Sequence, residues 1–293
     1  MSCVPVCSTL PVTLLPLSQG VADRPVLMPQ LGLGTYKIPD DDAARCVRAA
    51  LSLGYRHVDT AQMYRNEAGV GQGLRDSGLP REELFVTSKL DNPNHRPEAV
   101  RRSFDESLRA LGLEYLDLFL VHWPLATSPG LDLVETWQAM VKLLESGRVR
   151  AIGVSNFEPG HLERIVAATG VVPAVNQVEV HPYFTQEPLR AVNWAQGVVT
   201  QAWSPLARGR VLEDPVLVRV AQEVGRSPAQ VVLRWHLQRG DVVIPKSTHP
   251  ERMAANAAVW DFALSGAQMA LVDALDRGER HGPHPDEMRE PRQ

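Results

Sequence analysis

The chain has 293 residues, enough to bury a large core as one large domain or two ordinary ones. Its formal net charge is −4 and it contains no basic block, which argues against a nucleic-acid-binding protein. No apolar stretch approaches the roughly 20 residues that a membrane span needs, so we expect no membrane association. Three cysteines without CxxC spacing favour a reducing cytoplasm.

We expect residues 1–28 to form an N-terminal extension, mobile or hairpin-like, rather than an export signal. The first twenty residues are fairly apolar, but prolines interrupt them and no basic residue occurs before Arg24. A secretory signal needs a basic start followed by an uninterrupted apolar segment. Residues 29–293 are expected to form a single domain that ends in a polar loop.

Eight short apolar and β-branched runs predict strands. They are LGLGTY (31–36), HVDTA (57–61), LFVTSKL (84–90), LDLFLVHW (116–123), RAIGVSNF (150–157), AVNQVEV (174–180), VVTQAWS (198–204) and DVVIPKS (241–247). Amphipathic segments with apolar residues at i, i+3, i+4 and i+7 separate these runs and predict helices.

This alternation predicts an α/β fold, a (β/α)8 TIM barrel, because eight strands in 293 residues fit one barrel better than two doubly wound halves. An extra amphipathic segment, PVLVRVAQEVG (215–225), predicts one additional helix before the seventh barrel helix. Another, DFALSGAQMALVDALDRG (261–278), predicts one after the eighth. Catalytic groups in such barrels lie at the carboxyl ends of the strands.

Four residues near these strand ends form a candidate catalytic set: Asp59, Tyr64, Lys89 and His122. A phenol has an ordinary pKa of about 10, and a nearby ammonium is expected to lower it and make the phenol a usable acid. A carboxylate would hold the ammonium, and an imidazole would orient a carbonyl. The set suits protonation of an oxygen that becomes negative as a nicotinamide delivers a hydride.

Other kinds of site are disfavoured. The candidate set has no nucleophile–base pair for acyl transfer, and the histidines show neither HExxH nor HxH spacing, so no metal is expected. The glycine-rich turn of Rossmann proteins is missing. GVGQG (69–73) is the nearest match, but it lies in a helical stretch and its glycine spacing is wrong.

A candidate phosphate site lies late in the chain, at IPKSTHPERMAAN (244–256). Lys246 and Ser247 end the eighth strand, and Arg252 and Asn256 share one face of the helix that follows. A lysine, a hydroxyl and an arginine near a helix N-terminus can hold a phosphate monoester, and barrels often bind phosphate after their last two strands.

Taken jointly, eight motifs make the chain resemble the aldo-keto reductase family from about Pro29 to Glu287. They are LGLGTYK (31–37), GYRHVDTAQMYRNE (54–67), TSKL (87–90), LVHWP (120–124), GVSNF (153–157), NQVEVHP (176–182), SPLARG (204–209) and IPKSTHPERMAAN. The ending DALDRGERHGPHPDEM looks most like bacterial diketogluconate reductases and their relatives. The resemblance implies NADPH-dependent reduction of a small aldehyde or ketone to an alcohol. We expect the protein to be a cytoplasmic monomer.

The resemblance also implies residue roles. Tyr64 would be the general acid, tuned by Lys89 and Asp59, and His122 would orient the carbonyl of the substrate. The implied NADPH-binding set spans the nicotinamide carboxamide, the nicotinamide ring, the 2′-phosphate and the adenine. It comprises Thr35, Ser155, Asn156, Gln177, Trp203, Ser204, Leu206, Lys246, Ser247, Arg252 and Asn256.

Tyr36, Asp91 and Trp123 are expected to line the substrate pocket. Two positions depart from the family pattern, one where a side chain would stack on the nicotinamide ring and one in the substrate pocket. Trp203 stands where many members have Tyr, and an indole should still stack on the ring. Asp91 stands where the family commonly has Trp, which would make the pocket rim more polar. A third departure, Ala255 in place of Glu, is expected to remove one adenine contact.

Two alternatives remain open. A Schiff-base aldolase on the same barrel could use Lys89 or Lys246, although Asp59 is expected to pair with Lys89. A non-catalytic NADPH-binding or structural protein on the same fold is the other alternative.

Overall fold

The computed structural model describes residues 13–19 and 25–289, so most of the predicted N-terminal extension lies outside the described residues. Within them, two short strands, β1 (Leu14–Pro16) and β2 (Leu27–Pro29), pair antiparallel. They precede the barrel, and we refer to this pair as the N-terminal hairpin.

Eight parallel strands follow, each at one of the predicted runs. They are β3 (Leu33–Gly34), β4 (His57–Asp59), β5 (Phe85–Leu90), β6 (Leu116–Val121), β7 (Val149–Ser155), β8 (Val175–Glu179), β9 (Val199–Trp203) and β10 (Val242–Val243). Each strand pairs with the next in chain order. Most of their residues are buried, as expected for parallel strands that are covered on both faces.

The first and last strands meet and close the sheet into a barrel. Leu31, just before β3, forms a parallel bridge with Val243 of β10. The backbone N–H of Gly32 donates to the carbonyl of Val243 at 2.8 Å, and the N–H of Val243 donates to the carbonyl of Gln30 at 2.9 Å. The predicted (β/α)8 TIM barrel is therefore confirmed.

Ten α-helices surround or follow the strands in the described part of the chain. They are α1 (Asp40–Ser52), α2 (Glu67–Asp76), α3 (Pro97–Leu111), α4 (Leu133–Glu145), α5 (Pro159–Thr169), α6 (Glu187–Ala195), α7 (Pro215–Val224), α8 (Pro228–Gln238), α9 (Pro250–Ala257) and α10 (Gly266–Asp273). Both α7 and α8 lie between β9 and β10, and α10 follows α9, so the two extra helices are found where they were predicted. None of these helices is long and apolar enough to cross a membrane.

The N-terminal hairpin packs into the inner core of the barrel. Met28 and Val26 are buried and cluster with Phe85 and Leu118 of neighbouring barrel strands. The side chain of Gln19 also accepts a hydrogen bond from the backbone N–H of Ile152, at 2.8 Å. The hairpin therefore fills the interior that the barrel strands alone leave open, at the end opposite to the strand carboxyl ends.

The glycines of GVGQG serve helix packing. They lie within α2, and a methyl group added at Gly71 would sit 2.2 Å from the carbonyl oxygen of Leu111 at the end of α3. No side chain fits in that gap, because the two helix backbones approach so closely. Helix packing therefore explains the glycine pattern, and a nucleotide-binding turn is not needed to account for it.

Candidate active site

The four candidate catalytic residues meet at the carboxyl ends of three neighbouring strands. The ammonium of Lys89 donates to Asp59 Oδ1 at 2.5 Å and to the carbonyl of Thr60 at 2.8 Å. It lies 3.4 Å from the phenol oxygen of Tyr64. Both Lys89 and Asp59 are almost wholly buried. A buried ammonium next to a carboxylate is stable only as a well-bonded pair, and here all of its donors have partners.

Tyr64 comes from a loop rather than from a strand. It ends a 3-10 turn over Gln62–Tyr64, and the following residue, Arg65, takes a left-handed conformation with φ of 56°. The side-chain amide of Gln62 donates to the carbonyl of Ser103 at 2.9 Å and accepts from the backbone N–H of Asp91 at 2.8 Å. These bonds tie the turn to the strand-to-helix loop and to α3, so the phenol is held over the barrel mouth.

The phenol of Tyr64 does not have the lowered pKa that we expected. Removal of the phenol from water raises its pKa well above the ordinary value, and the nearby carboxylate of Asp59 and phenol of Tyr36 raise it further. Burial likewise lowers the pKa of Lys89. Burial is the main reason for the difference, and the ammonium that was expected to lower the pKa is itself bonded to Asp59. The phenol is therefore fully protonated at neutral pH.

His122 is a neutral imidazole beside Tyr64. Burial lowers its pKa well below the ordinary value, and the positive charge of Lys89 acts in the same direction. Its ring centre lies 5.8 Å from that of Tyr64 in an edge-on arrangement. Within the described residues its Nδ1 atom has no hydrogen-bond partner. We therefore assign its proton to Nε2, because a buried unpaired acceptor costs less than a buried unpaired donor.

Three polar side chains and an indole form a bonded group across the next strands. Asn156 donates to the carbonyl of His122 at 3.0 Å and accepts from the indole N–H of Trp203 at 2.9 Å. The hydroxyl of Ser155 donates to the carbonyl of Gln177 at 2.8 Å, and the Gln177 amide donates to Asp59 at 2.7 Å. The indole is thus fixed in orientation, and this group is linked directly to the catalytic carboxylate.

A cavity over the barrel mouth, which we call the central cavity, brings most of the predicted residues together. Those that line it are Tyr36, Asp59, Tyr64, His122, Trp123, Ser155, Asn156, Gln177, Trp203, Ser204 and Lys246. Asp91 does not line it. Its carboxylate accepts from the N–H of Asn92 at 2.8 Å and lies 3.9 Å from a guanidinium nitrogen of Arg65, so it serves the loop instead of the pocket rim.

A second cavity, the side cavity, continues from the central one. Both are lined by Tyr36, Ser204 and Lys246. The side cavity also includes the predicted residue Leu206 from the loop after β9, and Ser247, Arg252 and Asn256 from α9 and the residues before it. Thr35 lines neither cavity. It is buried, and its hydroxyl donates to the carbonyl of Asp59 at 3.0 Å, so it supports the strand that carries the carboxylate.

Some lining residues were not predicted. Arg208 lines both cavities, from a loop in which Ser204, Ala207 and Arg208 all have positive φ values of 48° to 56°. Such conformations in non-glycine residues cluster at ligand-binding loops. Arg208 belongs to the SPLARG motif, so a signal for it was present in the sequence. Residues 282, 283 and 288 also line the central cavity, and no pattern in the chain indicated them.

Four basic side chains face the side cavity or its entrance without neutralising partners. Lys37, Arg208, Lys246 and Arg252 line it, and none forms an ion pair with any carboxylate in the described part of the chain. Elsewhere many arginines are paired with acids. Unpaired cations along a cleft favour a negatively charged ligand, since arginine and lysine both bind phosphate oxygens.

Comparisons with known proteins identify the family of the chain. A sequence model of the Aldo/keto reductase family matches residues 30–277. The chain is 50% identical over 273 residues to morphine 6-dehydrogenase of Pseudomonas putida, covering 89% of this chain and 92% of that protein. It is 47% identical over 265 residues to glyoxal reductase of Bacillus subtilis, covering 90% and 94% respectively.

Among solved structures, a mutant of Gox0644 in complex with NADPH superposes with a TM-score of 0.89 at 45% sequence identity. The match covers 95% of this chain and 99% of that one. The match of the family model over most of the barrel, the high identities and the shared fold all lead to one assignment. The chain is an oxidoreductase that belongs to the aldo/keto reductase family.

Proposed function

We propose that the protein reduces an aldehyde or ketone to an alcohol, with NADPH as the cofactor and Tyr64 as the general acid. One observation carries the proposal: a protonated phenol lies between a buried ammonium and a neutral imidazole at the mouth of a cavity. The phenol can donate its own proton to a carbonyl oxygen. The family to which the chain belongs supports this class of reaction.

The cavities fit NADPH. The central cavity offers the amide and hydroxyl groups of Ser155, Asn156 and Gln177 together with the Trp203 indole, which suit a carboxamide-bearing aromatic ring. The side cavity offers Lys246 and Arg252, whose unneutralised charges suit the 2′-phosphate. A Gox0644 mutant, which shares 45% of its sequence with this chain, has been solved with NADPH. When bound, NADPH would supply the hydride.

The proton would come from Tyr64. His122, neutral and protonated on Nε2, would donate a hydrogen bond that orients the carbonyl oxygen toward the phenol. As charge develops on that oxygen, Tyr64 gives up its proton and becomes a phenolate. Lys89, at 3.4 Å from the phenol oxygen, would stabilise that phenolate, while Asp59 keeps the ammonium in place. The ammonium thus acts on the product of proton transfer more than on the resting phenol.

For the substrate we propose a small, uncharged aldehyde or ketone, with 2-oxoaldehydes as the leading class. The central cavity is also lined by Tyr36, Met63, Trp123 and Met288, which suit an apolar or weakly polar molecule. The relatives point in two directions, because one is named for glyoxal and another for morphine. A screen of NADPH oxidation with glyoxal-like dicarbonyls, aldoses, keto acids and aromatic aldehydes would decide between them.

The aldolase alternative is disfavoured by the bonding of the lysines. A Schiff base needs an amine with a free lone pair in an apolar pocket. Lys89 instead donates to Asp59 and to the Thr60 carbonyl, and Lys246 is exposed. A non-catalytic role is disfavoured because every member of the proton-donating group is present and the structure brings all four together at the barrel mouth.

We further propose that the enzyme is a cytoplasmic monomer built as one catalytic domain over residues 29–293, with no nucleic-acid partner and no metal. The net charge of −4 argues against a nucleic-acid partner, the odd number of cysteines favours the cytoplasm, and the continuous barrel supports a single domain. Size-exclusion chromatography with light scattering would test the monomer, since a dimer would double the mass.

The general-acid role is tested by Tyr64→Phe. Without the hydroxyl we expect kcat for carbonyl reduction to fall by roughly 100- to 10,000-fold, because the developing oxyanion loses its proton donor. NADPH affinity, measured by fluorescence titration, should stay near that of the wild type. Tyr115→Phe, on the distant side of the barrel against Arg81, is the matched control. Near wild-type kcat in Tyr64→Phe would refute the assignment.

A further inference from the structure

The last described segment of the chain closes over the central cavity. We call residues 279–288 the C-terminal segment; it follows α10 and contributes Gly282, Pro283 and Met288 to the cavity wall. Its outer side is tied to the rim of the barrel. The guanidinium of Arg280 lies 3.2 Å from Glu158, and Asp286 lies 3.1 Å from His161. These contacts are partly exposed, so they contribute little individually.

Glu179, the last residue of β8, binds the middle of the C-terminal segment. Its Oε1 atom accepts the backbone N–H of His281 at 2.9 Å, and its Oε2 atom accepts the N–H of Gly282 at 2.8 Å. The imidazole of His181 lies 3.1 Å from Oε1. Glu179 is 1% exposed, so these bonds replace all of its hydration. A buried carboxylate that accepts several donors is a strong anchor for the groups that it binds.

The charge on Glu179 is maintained by its partners. Burial alone raises the pKa of this carboxyl, but the hydrogen bonds from His181, Gly282 and His281 outweigh burial and lower the pKa overall. The carboxylate is therefore ionised throughout the neutral range. Glu179, His181 and His281 each offer an atom that could bind a metal ion, and these atoms lie within 4.8 Å of one another. Because the oxygens of Glu179 already accept three protein donors, the convergence is explained without a metal ion.

Gly282 transmits this anchoring to the indole of Trp203. A methyl group added at Gly282 would lie 2.5 Å from the Cη2 atom of Trp203 and 3.1 Å from Glu179 Oε2. The backbone of the segment is thus packed directly against the edge of the indole. The opposite end of the same ring is held by the bond from its N–H to Asn156. The bond to Asn156 does not involve the segment, so it would still hold the ring if the segment were released.

We propose that Glu179 is a positioning residue that holds the C-terminal segment over the central cavity, against the edge of Trp203, and thereby sets the outer wall of the substrate pocket. The inference deepens the proposed function and rests on it. Neither Glu179 nor His281 lines the cavity itself, so the effect is indirect.

The proposal predicts a dependence on substrate size. Pro283 and Met288 line the same cavity as Tyr64 and His122. We expect the ring of an aromatic aldehyde, which extends beyond its carbonyl, to contact the segment, and we expect a dicarbonyl of two or three carbons to contact it much less. Release of the segment should therefore harm the larger substrate much more than the smaller one.

The kinetic test compares Glu179→Ala and Glu179→Gln with the wild type on methylglyoxal and on benzaldehyde. For Glu179→Ala we expect kcat/KM with benzaldehyde to fall roughly tenfold or more, since two charge-assisted hydrogen bonds are lost. With methylglyoxal the fall should stay within about threefold. Glu179→Gln should be intermediate, because an amide oxygen can accept one N–H while its NH2 group repels the other.

Glu279→Gln is the matched control. It removes a carboxylate from the same segment, where Glu279 bonds to the side chains of Arg277 and His281, but leaves both backbone bonds to Glu179 intact. We expect unchanged substrate preference in this variant. Equal losses for both substrates in Glu179→Ala, together with a lowered Tm, would mean a general structural role and would overturn the proposal.

A second measurement does not depend on activity. Arg280 is a trypsin site that is partly buried in the anchored segment. Cleavage after Arg280, followed by mass spectrometry, should be roughly tenfold faster in Glu179→Ala and unchanged in Glu279→Gln. Unchanged cleavage in Glu179→Ala would overturn the anchoring. An inactive wild type with accelerated cleavage in Glu179→Ala would instead refute the reductase function and leave the anchoring intact. Where Glu179→Ala does not fold, Glu179→Gln supplies both measurements.

Discussion

At the scale of single side chains, the site depends on how the charge of Lys89 is shared. The identity of the four candidate residues was readable from the sequence, because each follows or ends a predicted strand. The direction in which the pKa of Tyr64 shifts could not be predicted from the sequence, since proximity to an ammonium suggested a lower value. In the structure the carboxylate of Asp59 binds that ammonium at 2.5 Å, and burial raises the pKa of the phenol. Distances between charges decide such a balance, and sequence spacing does not contain them.

The side cavity makes a prediction about cofactor choice at this scale. Arg252→Ala should raise the KM for NADPH by roughly 10- to 150-fold, because a charge-assisted contact to the 2′-phosphate is lost. The KM for NADH, which has no such phosphate, should change little. Steady-state kinetics with both cofactors measure the two values. Arg102→Ala on the exposed face of α3 is the control, since its guanidinium has only a loose contact to Glu106 at 4.0 Å. An equal loss for the two cofactors would contradict the 2′-phosphate assignment.

At the scale of elements, loops and helix contacts placed the residues that the strand pattern could not. Asp91 was expected at the pocket rim from its position after TSKL, yet its carboxylate caps the following turn. Arg208 was overlooked, although its motif was recognised, because the left-handed turn that directs it into the cavities has no simple sequence pattern. The direction of a loop side chain depends on local backbone torsions that neighbouring elements select.

The glycines of α2 allow a stability prediction for an element. Gly71→Ala should lower the free energy of unfolding by about 1–3 kcal/mol, because the new methyl group would clash with the backbone carbonyl of Leu111. Gly160→Ala in α5 is the matched control. Its added methyl group would meet nothing within 4 Å, so helix propensity should make this change neutral or stabilising by up to about 1 kcal/mol. Urea denaturation measures both. If Gly71→Ala were as stable as the wild type, the close approach of α2 and α3 would be wrong.

At the scale of the whole molecule, the barrel is a single closed sheet whose interior is completed by the N-terminal hairpin. The sequence predicted an extension but offered no reason for its presence. Met28 supplies that reason, because it is fully buried within the inner core that includes Phe85 and Leu118. The hairpin and the catalytic residues occupy opposite ends of the barrel. Stability and chemistry are therefore separated along the barrel axis, as in other barrels of this kind.

This separation predicts a change in stability without a change in chemistry. Met28→Ala should lower the free energy of unfolding by about 2–5 kcal/mol, through lost burial and the cavity that remains. The folded fraction should keep its kcat. Leu27→Ala, one residue earlier on the same strand and 43% exposed, is the control and should cost less than about 1 kcal/mol. A Met28→Ala protein of unchanged stability would mean that the hairpin does not complete the core.

The sequence by itself determined the alternation of strands and helices, the barrel, the two extra helices and the chemical types at the strand ends. Those features follow from local periodicity and from the rule that parallel strands present their carboxyl ends on one side. The tertiary structure alone decided which charges are paired, which loops line the cavities and how Glu179 holds the C-terminal segment against Trp203. Each of these depends on distances between residues far apart in the chain, which only the closed barrel brings together.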